Sequence, residues 1–190
     1  MTREEKINLA RDVSTSSEEL EKLSEDEDWY IRLYVAGNPS TSSFTLEKLS
    51  EDKNWSVCRF VAQNPNTSSS VLEKLSRAKH WYVRSFVAEN PNTSLEVLET
   101  LSRDKALGVR FEVFNNANIS ISILEKLSGD SEWEIRKLAL QNPKNIRIRE
   151  MMKVGRVKEL EISGGGKTDN LNIVWLRRWE EVLFKIGAEI

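Results

Sequence analysis

The segment "HWYVRSFVAENPNTS" (80–94) recurs along the chain at a spacing of 26 residues. Related segments are "DWYIRLYVAGNPSTS" (28–42), "NWSVCRFVAQNPNTS" (54–68), "ALGVRFEVFNNANIS" (106–120) and "EWEIRKLALQNPKNI" (132–146). A fixed period of this length is typical of solenoid proteins, in which each repeat buries its apolar face against its neighbours. The sequence therefore predicts tandem structural repeats.

Five full units and one half unit fit this period. The half unit occupies residues 1–14, and the full units begin at Thr15, Thr41, Thr67, Thr93 and Ile119. Each unit has room for two short helices, named here the A helix and the B helix. We therefore predict a repeat domain over residues 1–144 that is all-α and winds as a right-handed superhelical solenoid.

Capping residues and apolar spacing locate the two helices. The A helix carries leucines three residues apart, such as Leu72 and Leu75, after a Thr-Ser-Ser stretch whose hydroxyls can cap its N-terminus. The B helix carries apolar residues such as Val57 and Phe60 and is expected to end before the Asn-Pro pair, because proline disfavours helix there.

An asparagine recurs at the end of every B helix. A short amide side chain beside a turn can bond the local backbone, so a structural role is expected for this residue. The five positions are Asn38, Asn64, Asn90, Asn116 and Asn142.

A tryptophan and an alanine also recur in the B helices. We expect the aromatic residues to pack in the core between neighbouring units, and the alanines to let neighbouring helices approach closely. The aromatic positions are Trp29, Trp55, Trp81 and Trp133, with Leu107 in the fourth unit, and the alanines are Ala36, Ala62 and Ala88.

Two exceptions in a repeated Arg and Asp pattern predict ion pairs between units. The arginine is replaced by Cys58 in the second unit, and the aspartate by Ala78 in the third. If each arginine pairs with the aspartate of the next unit, both exceptions fall on one missing pair and no buried charge lacks a partner. The predicted pairs are Arg32–Asp52, Arg84–Asp104 and Arg110–Asp130.

The segments "NPNTSSSVLEKLS" and "WYVRSFVAENPNTS" resemble the leucine-rich repeat variant family, a superhelix of short paired helices. The resemblance covers residues 3–144, and the Asp…Val-Arg spacing is also similar to HEAT repeats. It implies a binding scaffold without catalytic residues, and helices that alternate between α and 3₁₀. The iron–sulphur cluster associated with that family needs clustered cysteines, so it does not carry over to a chain with one cysteine.

The non-recurring positions of the B helices form one stripe on a helical wheel. This stripe is partly aromatic and apolar, which is typical of protein-binding patches, so we predict that it binds an unidentified partner protein. One alternative is that the stripe is a solvated face without a ligand. Another is that the protein serves only as a structural spacer. The predicted binding residues are Tyr30, Leu33, Arg59, Tyr82, Phe111, Glu134 and Lys137.

Nucleic-acid binding is the rival hypothesis. It would use basic residues of the third repeat and nearby positions, namely Arg59, Lys79 and Arg84, together with the segment 144–158. That segment has six basic residues against one glutamate, but no aromatic residues are interleaved with them. We therefore favour a solvated terminal face as the explanation of this segment.

Residues 145–190 leave the repeat register and are expected to cap the solenoid. The pattern indicates a capping helix after Lys144, a short strand at 157–163, a Gly-rich loop at 163–170 and an amphipathic helix at 171–187. The loop sequence "GGGKTDN" lacks the first glycine of a phosphate-binding loop, so nucleotide binding is not expected there. The amphipathic helix could mediate dimerisation.

Composition argues against catalysis and against metal binding. The chain of 190 residues has a net charge of −2, one cysteine and one histidine, which excludes disulfides and multi-histidine or multi-cysteine metal sites. Cys58 and His80 are the only Cys–His combination, and both have structural explanations. We therefore expect no enzyme activity, cofactor or metal. The charged N-terminus and the lack of a membrane-spanning run predict a cytoplasmic protein without membrane contact.

Overall fold

The computed structural model describes residues 1–144, and every regular element in that range is an α-helix. The A helices have seven residues each: α2 (Ser17–Leu23), α4 (Ser43–Leu49), α6 (Ser69–Leu75), α8 (Leu95–Leu101) and α10 (Ile121–Leu127). The B helices have nine: α1 (Arg3–Arg11), α3 (Trp29–Gly37), α5 (Trp55–Gln63), α7 (Trp81–Glu89), α9 (Leu107–Asn115) and α11 (Trp133–Gln141). This arrangement confirms the predicted α-solenoid of helix pairs.

Both helices of every repeat are α-helical in residues 1–144. The alternation with 3₁₀ helices that the resemblance implied is therefore absent from this part of the chain. The capping helix, the strand at 157–163, the loop at 163–170 and the helix at 171–187 all lie outside the described residues.

Serines define both ends of each A helix. The N-cap serine accepts a hydrogen bond from a backbone N–H in the first turn, as Ser68 does from Val71 at 3.4 Å. The C-cap serine turns its hydroxyl back to the helix, as Ser76 does to the carbonyl of Glu73 at 2.6 Å. Because both ends are capped, a helix of only two turns is stable in this context.

The core runs as a continuous layer between A and B helices. The two leucines of each A helix and an apolar pair four residues apart on each B helix from α3 to α11 are buried together, for example Leu72 and Leu75 against Val83 and Val87. Consecutive B helices pack directly on one another, and Ala36, Ala62 and Ala88 are fully buried at these contacts as expected. Each unit therefore depends on its neighbours for burial.

The recurring asparagines connect consecutive units. Nδ2 of Asn90 donates to the carbonyls of Ala62 and Asn64 in the previous unit at 2.7 and 3.1 Å. Its Oδ1 accepts from the backbone N–H of Asn92 at 2.8 Å. The expected local bond is thus only half of the role, and the same side chain also satisfies two buried carbonyls across the unit boundary. Asn38, Asn64 and Asn116 make equivalent bonds.

Arginine and aspartate side chains form a second link between units. Nε of Arg84 lies 2.5 Å from Oδ2 of Asp104, and Nη1 of Arg84 donates to the carbonyl of Ala78 at 2.7 Å. The structure also contains the Arg32–Asp52 and Arg110–Asp130 pairs, each at 2.6 Å. All three pairs join successive units, in the pattern that the two exceptions predict.

The half unit extends this series of ion pairs, which the sequence reasoning missed. Lys6 occupies the position of the arginine, 26 residues before Arg32, and its Nζ lies 2.6 Å from Oδ2 of Asp26. The signal was present in the 26-residue register, but a lysine in place of an arginine hid it.

Candidate interaction surface

The first residues of the B helices of the five full units form an exposed apolar row, named here the aromatic edge. Its members retain 38 to 56% of their accessible surface. The expectation that the tryptophans lie in the core is therefore wrong, although Trp55 and Trp81 do contact the following unit. The residues are Trp29, Trp55, Trp81, Leu107 and Trp133.

Helix geometry explains why these side chains are exposed. Each lies directly after the N-cap residue, and a helical side chain points back toward the N-terminus of its own helix. The ring therefore extends beyond the helix end, where no further turn can cover it. Position within the helix, which the sequence already indicates, was the signal that could have identified this surface.

Four rings from two consecutive units form a stack at the centre of the aromatic edge. The rings of Trp55 and His80 are nearly parallel, with an interplanar angle of 3° and centroids 4.1 Å apart. Trp81 and Tyr82 stack with centroids 3.8 Å apart. Tyr82 also lies 6.1 Å from Trp55 across the unit boundary. Together these rings make one apolar platform, named here the aromatic platform.

The next unit leaves room for this platform. A Cβ atom placed on Gly108 would come within 2.7 Å of Cζ3 of Trp81, closer than real Cβ contacts allow. Glycine at this position of α9 therefore lets the Trp81 ring approach the following helix closely. The equivalent positions Tyr30, Ser56 and Tyr82 carry larger side chains.

Arg59 lies one helical turn from Trp55 on the same side of α5. Its guanidinium carbon is 4.8 Å from the ring centroid of Phe60 and 5.5 Å from that of Phe86 in the next unit. Such geometry allows cation–π attraction to both rings, which holds the side chain in place. Nε is buried without a hydrogen-bond partner, and the described residues give Arg59 no ion pair.

A second aromatic group lies in the first unit. Tyr34 donates a hydrogen bond from its hydroxyl to that of Tyr30 at 2.9 Å, and this bond raises the pKa of Tyr34. Arg3 lies over the ring of Tyr30 at 5.6 Å and Arg11 over that of Tyr34 at 5.3 Å. These contacts fix both tyrosines at the start of the solenoid.

The stripe predicted from the wheel is largely accessible. Tyr82, Phe111 and Glu134 are exposed, while Tyr30, Arg59 and Lys137 are half-buried. The prediction is wrong for Leu33, which retains only 8% of its surface and belongs to the core. Whether the accessible residues bind a partner stays a prediction.

The basic residues proposed for nucleic acid have different environments. Arg84 is buried and held by Asp104 and the Ala78 carbonyl, so its guanidinium is not available to phosphates. Lys79 is exposed, and Arg59 lies between two phenylalanine rings. Beyond Lys144, the basic segment 144–158 lies outside the described residues.

Cys58 and His80 have separate environments. Sγ of Cys58 is buried and donates to the carbonyl of Asp52 at 3.3 Å, the bond that the arginine Nη1 makes in other units. Burial, and then the charge of Asp52, raise the pKa of this thiol. His80 lies instead against Trp55. Cys58 therefore fills the place of the missing arginine, and nothing indicates an activated nucleophile.

The described residues contain neither a metal-binding cluster nor a membrane-spanning helix. Within residues 1–144, no group of three or more His, Cys, Asp or Glu side chains could hold a metal ion. No helix in that range combines the length and hydropathy needed to cross a membrane.

The fold and surface define a class, a tandem-repeat α-solenoid with an exposed aromatic edge. The model of the leucine rich repeat variant family matches residues 81–105, which run from the start of α7 past the end of α8. This match confirms the resemblance derived from the repeated segments. No curated protein matches the chain.

Proposed function

We propose that this protein is a non-catalytic scaffold that binds a partner protein through the exposed side of its B helices. The observation that supports the proposal is the aromatic edge, which places a large apolar side chain at the same exposed position in five consecutive units. Contiguous apolar surface of this kind is unusual on a protein without a partner, and aromatic residues dominate the energetics of protein interfaces.

The interior of the solenoid supports a scaffold rather than an enzyme. The recurring Asn, Thr, Arg and Asp side chains of residues 1–144 are used in bonds between or within units. α-Solenoids are typically non-catalytic and offer extended binding surfaces, so the variable residues of the B helices are the ones free to select a partner.

The proposal is tested by affinity capture from a lysate of the source cells, with nuclease-treated and untreated samples. One bait carries Trp55→Ala, Tyr82→Ala and Phe111→Ala on the B helices. The matched control bait carries Phe44→Ala, Leu95→Ala and Ile121→Ala, three apolar residues of the A helices that are at least as exposed. We expect nuclease-resistant protein bands that the control bait retains and the B-helix variant loses.

Other outcomes would contradict the proposal. Bands retained by both variant baits would place binding elsewhere on the molecule, and bands lost equally with both would mean that binding is not specific to the B helices. Bands that disappear after nuclease treatment would favour nucleic acid, and their binding should weaken steeply with salt because phosphate contacts release counterions. Circular dichroism of each bait before capture checks that the substitutions leave the helices folded.

A further inference from the structure

Arg59 is an isolated cation on an otherwise uncharged helix. It is the only charged residue of α5, whereas the arginines of α3, α7 and α9 are each bound to an aspartate. The described residues give Arg59 two ring contacts but no hydrogen bond or ion pair. Its guanidinium is thus held in place by Phe60 and Phe86 and offers its charge to a ligand.

A carboxylate is the ligand group that best suits this guanidinium. The planar fork of arginine donates two parallel hydrogen bonds to a carboxylate, and stacking on aromatic rings limits the freedom that binding would otherwise cost. Glu89 and Glu112 lie on the following B helices, where burial and then the charge of Glu89 raise the pKa of Glu112. An acidic ligand would therefore be attracted at Arg59 and repelled further along the stripe.

The aromatic platform lies next to Arg59. Trp55 and Arg59 are four residues apart on α5, which corresponds to about 6 Å along the helix axis. Across the unit boundary Trp55 contacts Tyr82, and Arg59 contacts Phe86 one turn further along α7. The surface therefore presents an apolar stacking position and a cationic position side by side.

This spacing matches an extended peptide. Side chains two residues apart on an extended chain point to the same side and are separated by about 6.6 Å. A peptide lying along α5 could place a ring or proline on the platform. The carboxylate of an acidic residue two positions before or after that ring would then lie on Arg59.

We propose that the surface formed by Trp55, His80, Trp81, Tyr82 and Arg59 binds an extended segment of a partner protein with an apolar ring and an acidic residue two positions apart. This inference rests on the proposed function and specifies the partner's chemistry. Single-stranded nucleic acid would also stack on aromatic rings, but it needs several phosphate contacts. This face offers one unpaired arginine, with two glutamates on the following helices.

The test selects peptides against the full chain from a displayed library of random twelve-residue sequences, and then measures binding of the synthetic peptides by fluorescence anisotropy. We expect the selected peptides to share a ring-bearing or proline residue and an Asp or Glu two positions away. Arg59→Gln should weaken their binding at least tenfold, because a charge-assisted pair is lost. Arg103→Gln, which removes an exposed charge from an A-helix end, is the matched control and should have no effect.

A mutant cycle with the peptide assigns the contact. Replacing the peptide's acid by its amide should weaken binding to the native protein at least tenfold but leave binding to Arg59→Gln unchanged. Arg59→Lys keeps the charge without the planar fork and should bind at an intermediate level. Circular dichroism and thermal melting of each variant separate loss of binding from loss of folding.

The outcomes distinguish this inference from the proposed function. Selected peptides that lack an acid, or whose binding ignores Arg59→Gln but is lost in the Trp55, Tyr82 and Phe111 triple variant, overturn the inference and leave the scaffold proposal standing. Peptides insensitive to both variants contradict both proposals. A selection without binders, or displacement of the peptides by a single-stranded oligonucleotide at equal concentration, also overturns the inference.

Discussion

Each buried ion pair of the solenoid depends on the protonation of one aspartate. Burial alone would raise the pKa of Asp104, but hydrogen bonds from Arg84 and from the backbone N–H of Ala106 outweigh it and hold the pKa below its ordinary value. A carboxyl group with a lowered pKa in the folded state contributes stability above its unfolded pKa of about 3.9. That contribution is lost as the pH falls through the folded pKa.

We predict that Asp104→Asn lowers the free energy of unfolding by about 2 to 3 kcal/mol at pH 7. This value is at or below the low end of the range for a broken buried ion pair, because nearby water screens the two charges. The difference from the native protein should shrink as the pH falls below about 4, where the carboxyl group of the unfolded native chain takes up a proton, and should vanish once the pH lies below the lowered pKa of the folded state. Urea unfolding followed by circular dichroism at several pH values measures both quantities.

The control for this prediction is Glu51→Gln. Glu51 pairs with Lys74 at 2.5 Å, but both side chains are largely exposed, so the substitution should leave stability unchanged within error. A difference between the native protein and Asp104→Asn that stays constant from pH 7 to pH 3 would contradict the assignment, because it would not depend on the charge of Asp104.

At the level of single residues, the sequence predicted which side chains have a structural role better than it predicted what those side chains contact. The register identified the asparagines and the paired Arg and Asp positions, because a repeated polar residue in a buried row needs a repeated partner. It did not reveal that Asn90 bonds the previous unit, since the distance between carbonyls of neighbouring units is set by packing. Leu33 was wrongly assigned to the exposed stripe for a similar reason, because a helical wheel considers one helix alone and ignores burial by neighbouring helices.

At the scale of elements, the two exceptions Cys58 and Ala78 indicate that the pair between units acts as one feature. The equivalent side chains in other units meet at 2.5 to 2.6 Å across the boundary. In the second unit the Cys58 thiol keeps the bond to the Asp52 carbonyl and bonds the Ser50 carbonyl, but it makes no ion pair. Restoring one charge alone would leave it without its partner, whereas restoring both would rebuild the pair.

We predict that Cys58→Arg and Ala78→Asp each destabilise the protein, and that the double substitution is more stable than the sum of the two effects by about 1 to 3 kcal/mol. The four proteins are compared by urea unfolding at pH 7. Ala78→Asn in the Cys58→Arg background is the control of similar shape without the charge. If Asn and Asp at position 78 gave the same coupling free energy with Cys58→Arg, the two charges would not interact.

The helix bounds were the most predictable elements, while the aromatic edge was the least. Capping serines and the Asn-Pro stop act locally, so they can be recognised within a few residues of sequence. Exposure of Trp55 or Trp81 depends on where the following unit lies relative to the helix end. The period alone could not distinguish a side chain packed inside the core from one stacked along its edge.

At the scale of the whole repeat domain, stability is a sum of unit and boundary terms. Each unit within residues 1–144 is joined to the next by the asparagine bonds, the apolar contact of successive B helices and, in most cases, an ion pair. A central unit has two such boundaries. Weakening one boundary should therefore affect the units beside it most and distant units least.

We predict that Asn90→Ala, which removes two bonds across one boundary and leaves the carbonyl of Ala62 unpaired, lowers hydrogen-exchange protection most in α5 and α7. Hydrogen exchange followed by mass spectrometry of the full chain measures this change for each helix. Asn92→Ala is the matched control, because Asn92 also bonds a carbonyl of the previous unit, that of Pro65, but at the exposed surface, and it should have a smaller effect in the same helices. An equal loss of protection from α1 to α11 would instead mean that the repeats unfold as one cooperative unit, in which case the boundary bonds are shared by the whole domain rather than acting locally.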